Sequence, residues 1–189
     1  MKSDRPRPVV LAGPTAVGKG TVSGYIREHF PHVWLSISAT TRRPRPNELD
    51  GTHYYFVSNE EFDTMVARGD MLEWAVVHGK NRSGTPRYAV EKALDDGFMP
   101  LLEIDLHGAR QIRETMPEAL FVFLAPPSWE ELVRRLLGRG TENEEEQARR
   151  LATAEIEMAA ADEFDVVIVN DDIRRAAEEL VSLMKSQRV

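Results

Sequence analysis

Three glycines and a lysine fall within the nine residues Gly13-Pro14-Thr15-Ala16-Val17-Gly18-Lys19-Gly20-Thr21, and their surroundings decide what they do. The apolar run Val9–Ala12 precedes them, and Val22, Tyr25, Ile26 and Phe30 follow at helical spacing, which reads as strand, loop, helix. In that setting glycines let the backbone bend until successive N–H groups and the helix N-terminus face one point. The result is a cradle for phosphate oxygens, to which Lys19 adds a mobile positive charge. The strict pattern has Ser or Thr directly after the lysine; here Gly20 stands there and the hydroxyl is displaced to Thr21. GTPases, motor ATPases and small-molecule kinases share such a loop, so the phosphoryl acceptor has to be read elsewhere. The GTPase base-reading motif Asn-Lys-x-Asp is absent, and no apolar run ends in the Asp-Glu pair of helicase-type ATPases.

Four more apolar or β-branched runs, at 34–38, 99–106, Leu120–Ala125 and Val166–Val169, alternate with helical patterns. That rhythm predicts an α/β fold with a five-stranded parallel sheet flanked by helices. Two stretches interrupt it. Residues 40–58, rich in Thr, Arg, Pro and Tyr, continue into a short helix at 60–68, a span too long for a plain crossover. The second, 134–150, sets Arg134, Arg135, Arg139, Arg149 and Arg150 around Glu142-Asn143-Glu144-Glu145-Glu146. Both read as attachments over the carboxyl edge of the sheet, where ligands of open α/β folds bind. One domain of 189 residues is expected, with a core of 9–37, 89–130 and 151–189, an insertion of 38–88, a lid of 131–150 and a flexible lead-in of 1–8. Residues 173–184 read as a closing amphipathic helix.

Charge and composition narrow the partners. With 24 Lys and Arg against 31 Asp and Glu the net charge is −7, which argues against nucleic acid as the main partner. Zero cysteines and five scattered histidines leave no disulfide, thiolate metal site or zinc spacing. No run is long and apolar enough for a membrane helix, and residues 1–8 lack the apolar stretch of a signal peptide, so a cytoplasmic protein without a membrane partner is expected.

A second site gathers around Arg42, Arg43 and Arg45, three arginines in four positions whose backbone Pro44 and Pro46 fix. Guanidinium forks suit a phosphate monoester, and Tyr54 offers a hydroxyl. Glu73 is an acid inside an apolar run, Met71-Leu72-Glu73-Trp74-Ala75, and Glu103 and Asp105 lie two apart on a predicted strand, hence on one face. A guanine base presents two adjacent donors that one carboxylate accepts together, whereas adenine does not; a surface acid is the plainer reading of Glu73 alone.

The stretch from Thr40 to Val57, with Thr40-Thr41-Arg42, Arg45, Glu48, Gly51, Tyr54, Phe56 and Val57, closely resembles the signature of the guanylate kinase family. Ile104-Asp105-Leu106-x-Gly108, Pro126-Pro127-Ser128, Gly138-Arg139-Gly140-Thr141 and Val167-Ile168-Val169-Asn170-Asp171-Asp172 follow in the family's order. The resemblance implies the P-loop nucleoside monophosphate kinase fold, in which the insertion at 38–88 binds GMP and the lid is helical. It implies ATP as donor, Mg²⁺ as cofactor and GMP as acceptor. Arg42, Arg45 and Tyr54 then hold the GMP phosphate, while Ser38, Glu73 and Thr85 read guanine. Glu103 and Asp105 stand at the acceptor, Thr21 and, through water, Asp105 near the metal. The loop from Gly13 to Thr21, with Lys19, contacts donor phosphates, Arg135 and Asn170 the adenine side, and Arg139 and Arg150 are charge stabilisers from the lid.

The chain departs from the family in places. Gly79-Lys80-Asn81-Arg82-Ser83-Gly84 is one residue longer than the family's Gly-Asn-Tyr-Tyr-Gly, and Ser83 replaces a tyrosine that contacts phosphate, leaving Ser83 or Arg82 as the substitute. Glu103 replaces the commoner Asp, and His107 the usual Gln. No residue identified reads the ribose 2′-hydroxyl, so dGMP is an expected second acceptor. Two rivals stand beside this reading: a P-loop kinase of a sugar phosphate or another nucleotide, and a non-catalytic phosphopeptide-binding module of the same fold.

Overall fold

The structure, a computed structural model, describes residues 6–77, 79–138 and 143–186. In chain order its elements are β1 (Val9–Ala12), α1 (Lys19–His29), β2 (Val33–Leu35), β3 (Ala39–Thr40), β4 (Tyr55–Phe56), α2 (Asn59–Arg68), β5 (Met71–Val77), β6 (Asn81–Pro86), α3 (Arg87–Asp95), β7 (Met99–Glu103), α4 (Leu106–Thr115), β8 (Leu120–Ala125), α5 (Trp129–Leu137), α6 (Glu144–Ala159), β9 (Val166–Val169) and α7 (Ile173–Ser186). The five expected runs form one sheet in the order β2-β7-β1-β8-β9, parallel throughout. Strand periodicity sorts β1 between two cores. Val9 and Leu11 pack with Val22 and Ile26 of α1 and Leu180 of α7 on one face, and Val10 packs with Val90, Ile112 and Phe121 on the other. Burial on both faces is why these strands read as continuous apolar runs.

Two strand boundaries differ from the sequence reading. The second strand is Val33–Leu35, not 34–38, because after Ser36 donates to Leu101 O the chain leaves the sheet. The third ends at Glu103, not 106, because Asp105 caps α4, its Oδ1 accepting from Gly108 N at 2.7 Å. Glu103 and Asp105 therefore do not share a strand face. At the other end of the chain Pro6 and Pro8 are buried, and Arg7 donates to Glu118 O and Ala119 O.

The long interruption contains a second, four-stranded sheet, β4-β3-β6-β5, of mixed direction. Thr40 and Thr41 tie it together through the backbone of Arg82, which accepts at O from Thr40 Oγ1 (3.0 Å) and donates from N to Thr41 Oγ1 (2.9 Å). Phe62 of α2, Ala39 and Met71 make its small core; α2 starts with a capping box between Ser58 and Glu61. The edge strand β5 is braced on α4. Gln111 exchanges two 3.1 Å bonds with the backbone of Trp74, and Thr115 Oγ1 donates to Leu72 O at 2.6 Å. These side chains occupy strand groups that an edge leaves unpaired. The helices α5 and α6 meet through Leu132, Leu136 and Ala154.

Candidate active site

The loop between β1 and α1 has the backbone that its glycines permit. Gly13 has φ 155°, and a β-carbon there would fall 2.3 Å from Leu124 O, so only glycine fits against β8. Gly18, at φ 99°, precedes α1, which has neither a side-chain cap nor an acidic residue in its first turn. Ala16 also sits at positive φ, 67°, a conformation that costs a non-glycine residue about 1–3 kcal/mol. The loop therefore ends at the N-terminus of α1, an electropositive end with no anion supplied by α1 itself.

Lys19 Nζ lies within the loop, donating to Gly13 O at 2.7 Å and Pro14 O at 3.3 Å. Burial pulls its ammonium below the ordinary lysine range, while the carboxylates of Glu157, Glu103 and Asp105 oppose that shift. Arg135 Nη1 and Asn170 Nδ2 both donate to Val17 O, at 3.2 and 2.9 Å. With Ala16, Gly18, Thr21 and Asp171 they line a cavity of about 400 Å³. Asn170 is buried, and among the described residues its Oδ1 has no partner. Arg135 is also held by Glu131, at 2.8 Å, and Glu131 is pulled down to about 2 by Arg134 and Arg135. A second cavity, of about 310 Å³, lies between Thr15 and α6 and is lined by Arg149, Arg150 and Thr153. Arg139 lies outside the described residues.

The second sheet holds the other cluster. Arg42 grips Glu48 through two bonds of 2.7 and 2.8 Å, and its guanidinium lies 4.9 Å from the centre of the Tyr54 ring. Glu48 also accepts from Arg45 N at 2.7 Å, and the Arg42 and Arg45 bonds hold its carboxyl at about 2. Ser38 lies just before β3, its carbonyl accepting from Tyr55 N. Ser83 pairs with Thr40 on one side and Ala75 on the other. Arg82 is engaged elsewhere: it pairs with Asp63, donates to Asn59 and covers the Phe62 ring. Among the described contacts it therefore serves α2, not the Arg42 cluster.

Glu73, on β5, faces Thr85 of β6, whose hydroxyl donates to Oε1 at 2.7 Å. Burial pushes the Glu73 carboxyl up, and the Thr85 bond partly offsets this. A β-carbon on Gly108 would fall 3.2 Å from both Glu73 Oε2 and Asp105 Oδ1, so these carboxylates flank one glycine. The Asp105 charge raises the Glu73 carboxyl further and opposes the lowering of Lys19.

Among the described residues no three His, Cys, Asp or Glu side chains gather into a metal cage. Glu103 Oε1 is 3.8 Å from where a β-carbon of Gly20 would stand, beside the first turn of α1 that carries Thr21. One hydroxyl and nearby carboxylates, with no cage, fit a Mg²⁺ ion that arrives on nucleotide phosphates and keeps most of its waters.

A sequence model of the guanylate kinase family matches residues 5–187. The chain belongs to that family. A guanylate kinase of Leifsonia xyli is 65% identical over 93% of this chain and 69% of its own length, and one of Streptomyces coelicolor is 60% identical over 95% and 90%. The crystal structure of guanylate kinase from Anaplasma phagocytophilum superposes with a TM-score of 0.72 at 32% identity, covering 99% of this chain and 88% of that one. The P-loop fold with its five-stranded parallel sheet is thus the family's own. Two residues near these clusters carry no readable sequence signal: Gln111 braces Trp74 and Glu157 reaches the loop from α6, and no local pattern reveals such long-range partners. Gly108, readable as a motif position, makes room beside Glu73.

Proposed function

We infer that this chain transfers the γ-phosphoryl group of ATP to GMP, giving ADP and GDP. The observation that carries the reading is a carboxylate, Glu73, oriented by the Thr85 hydroxyl at 2.7 Å and flanking Gly108 together with Asp105, in a chain whose Gly13–Thr21 loop suits an anion. A carboxylate in that position suits the paired N1–H and amino donors of guanine and leaves the other bases mismatched. Thr85 fixes its orientation, and Ser38 serves as a further reader of the base. Arg42, preset by Glu48, takes the GMP phosphate with Arg45, Tyr54 and Ser83.

The donor's phosphates lie on the loop from Gly13 to Thr21, with its adenine side toward Arg135 and Asn170. An oxygen of the GMP phosphate attacks the γ-phosphorus; the new P–O bond forms as the bond to the β-phosphate oxygen breaks, and that electron pair leaves on ADP. The attacking phosphate is already largely dianionic at neutral pH, its second pKa being about 6, so no general base is assigned. Lys19, Arg42, Arg139 and Arg150 spread positive charge over the transferring group. Thr21 and, through water, Asp105 are the residues that would hold Mg²⁺, which would add further neutralisation of the donor's phosphate charge. Approach of the segments 38–88 and 131–150 excludes water that would hydrolyse ATP.

A cytoplasmic setting belongs to this reading, and a chain without cysteine is compatible with it. Quantifying both products tests the reaction. ADP and GDP should appear one for one from ATP and GMP, cease when divalent cation is chelated, and appear with dGMP as well. ADP formed at the same rate without any acceptor would contradict the reading.

A further inference from the structure

The phosphate loop is already engaged by an anion from within the protein. Thr15 N, a donor of the loop, bonds Glu157 Oε2 at 2.8 Å across 142 residues of sequence. Glu157 is also the strongest of the carboxylates acting on Lys19. It stands on α6 with Glu146, Arg150 and Thr153, spaced four, three and four residues apart and so on one helix face. That face lines the cavity of about 310 Å³ opposite Thr15. The N-terminus of α1 has no acidic residue of its own, so a carboxylate from another element fills the place where this electrostatic field draws negative charge.

We propose that Glu157 is the resident counter-anion of the phosphate loop, a positioning residue that donor phosphate must displace and that thereby sets donor affinity. A carboxylate oxygen and a phosphate oxygen cannot both take the short bond from Thr15 N. A phosphate chain on the loop also brings several negative charges beside Glu157, and the carboxylate turns away from the loop. Glu157 shares its helix with Arg150, so displacement is felt by the element that carries a charge stabiliser. The contact costs affinity for the donor and in exchange keeps the loop and Lys19 neutralised while the site is empty.

The inference rests on the loop being the donor site, and the test separates the two. Inorganic tripolyphosphate without added metal, then ADP and GMP, are titrated calorimetrically into the unchanged protein and into Glu157→Gln, which keeps side-chain length and removes the charge. Removing one nearby negative charge should tighten tripolyphosphate and ADP binding on the order of fivefold or more, with GMP affinity unchanged. A residue serving only to pack α6 would, when altered, loosen the loop and weaken binding. Equal or weaker tripolyphosphate binding in Glu157→Gln overturns the proposal. Glu157→Asp, which withdraws the carboxylate from Thr15 N by one methylene, should shift in the same direction and carries the test if thermal unfolding shows that Glu157→Gln does not fold. If the unchanged protein binds neither tripolyphosphate nor ADP, it is the donor-site reading that fails.

Discussion

Thr85→Val isolates the bond that orients Glu73, the carboxylate we propose reads the base. Thr85 is 1% exposed and donates from Oγ1 to Glu73 Oε1 at 2.7 Å; valine keeps its shape and suits strand β6. A hydrogen bond to a charged group contributes about 1.5–3 kcal/mol. If guanine binds the carboxylate that this bond presents, the KM for GMP rises about 10- to 150-fold. The pH dependence carries the sign. Burial holds the Glu73 carboxyl above its ordinary value, and the Thr85 bond draws it back down. Only the ionised form accepts both guanine donors, so kcat/KM for GMP falls as pH drops through the folded value. Removing the hydroxyl raises that value further, and the acid limb moves to higher pH. Stability behaves oppositely: a raised carboxyl favours folding in its protonated form, so Thr85→Val loses stability as pH rises. Steady-state kinetics with varied GMP from pH 5 to 9, alongside thermal unfolding, read both effects, and Thr85→Ser should restore them. An unchanged GMP KM together with an unmoved acid limb would refute the reasoning.

Three further substitutions probe separate parts. Lys19→Met removes the loop cation, whose bonds among the described residues reach the carbonyls of Gly13 and Pro14; kcat should fall about 10²- to 10³-fold or more with the fold intact by circular dichroism. Glu48→Gln releases Arg42, so the GMP KM should rise several-fold. The stability that Glu48 contributes above its unfolded pKa, lost as pH falls toward about 2, should vanish from the acid-unfolding curve. Gly108→Ala drives a β-carbon to 2.4 Å from Ile104 Cγ2 and 3.2 Å from Glu73 Oε2; differential scanning calorimetry should show a loss of about 1–3 kcal/mol, with weakened GMP binding.

The parallel sheet was legible because strands buried on both faces are apolar without interruption, as Leu120–Ala125 is. The second sheet was not. Its β3 and β4 have two residues each, and β6 reads Asn81-Arg82-Ser83-Gly84-Thr85-Pro86, without alternation; tertiary bonds from Thr40 and Thr41 to Arg82, not propensity, make these residues a sheet. Asp105 lies in the apolar run that continues β7 in the sequence, and its capping role shows only in the backbone turn that follows the strand. The phosphate loop was readable from local spacing, since its chemistry lies in consecutive backbone groups. Gln111 and Glu157 act on residues 37 and 142 positions away, a relation that the chain's folding creates and local spacing does not encode.

Phosphoryl transfer directed by a guanine-reading carboxylate is the central claim, and acceptor choice tests it most directly. ADP formation from ATP and Mg²⁺ is measured with GMP, AMP, CMP, UMP and no acceptor, for the unchanged protein and for Glu73→Gln. The account predicts turnover with GMP and not with the other three nucleotides, lost or severely reduced in Glu73→Gln. Equal turnover with AMP, or a Glu73→Gln protein that still selects GMP with undiminished kcat/KM, would contradict it.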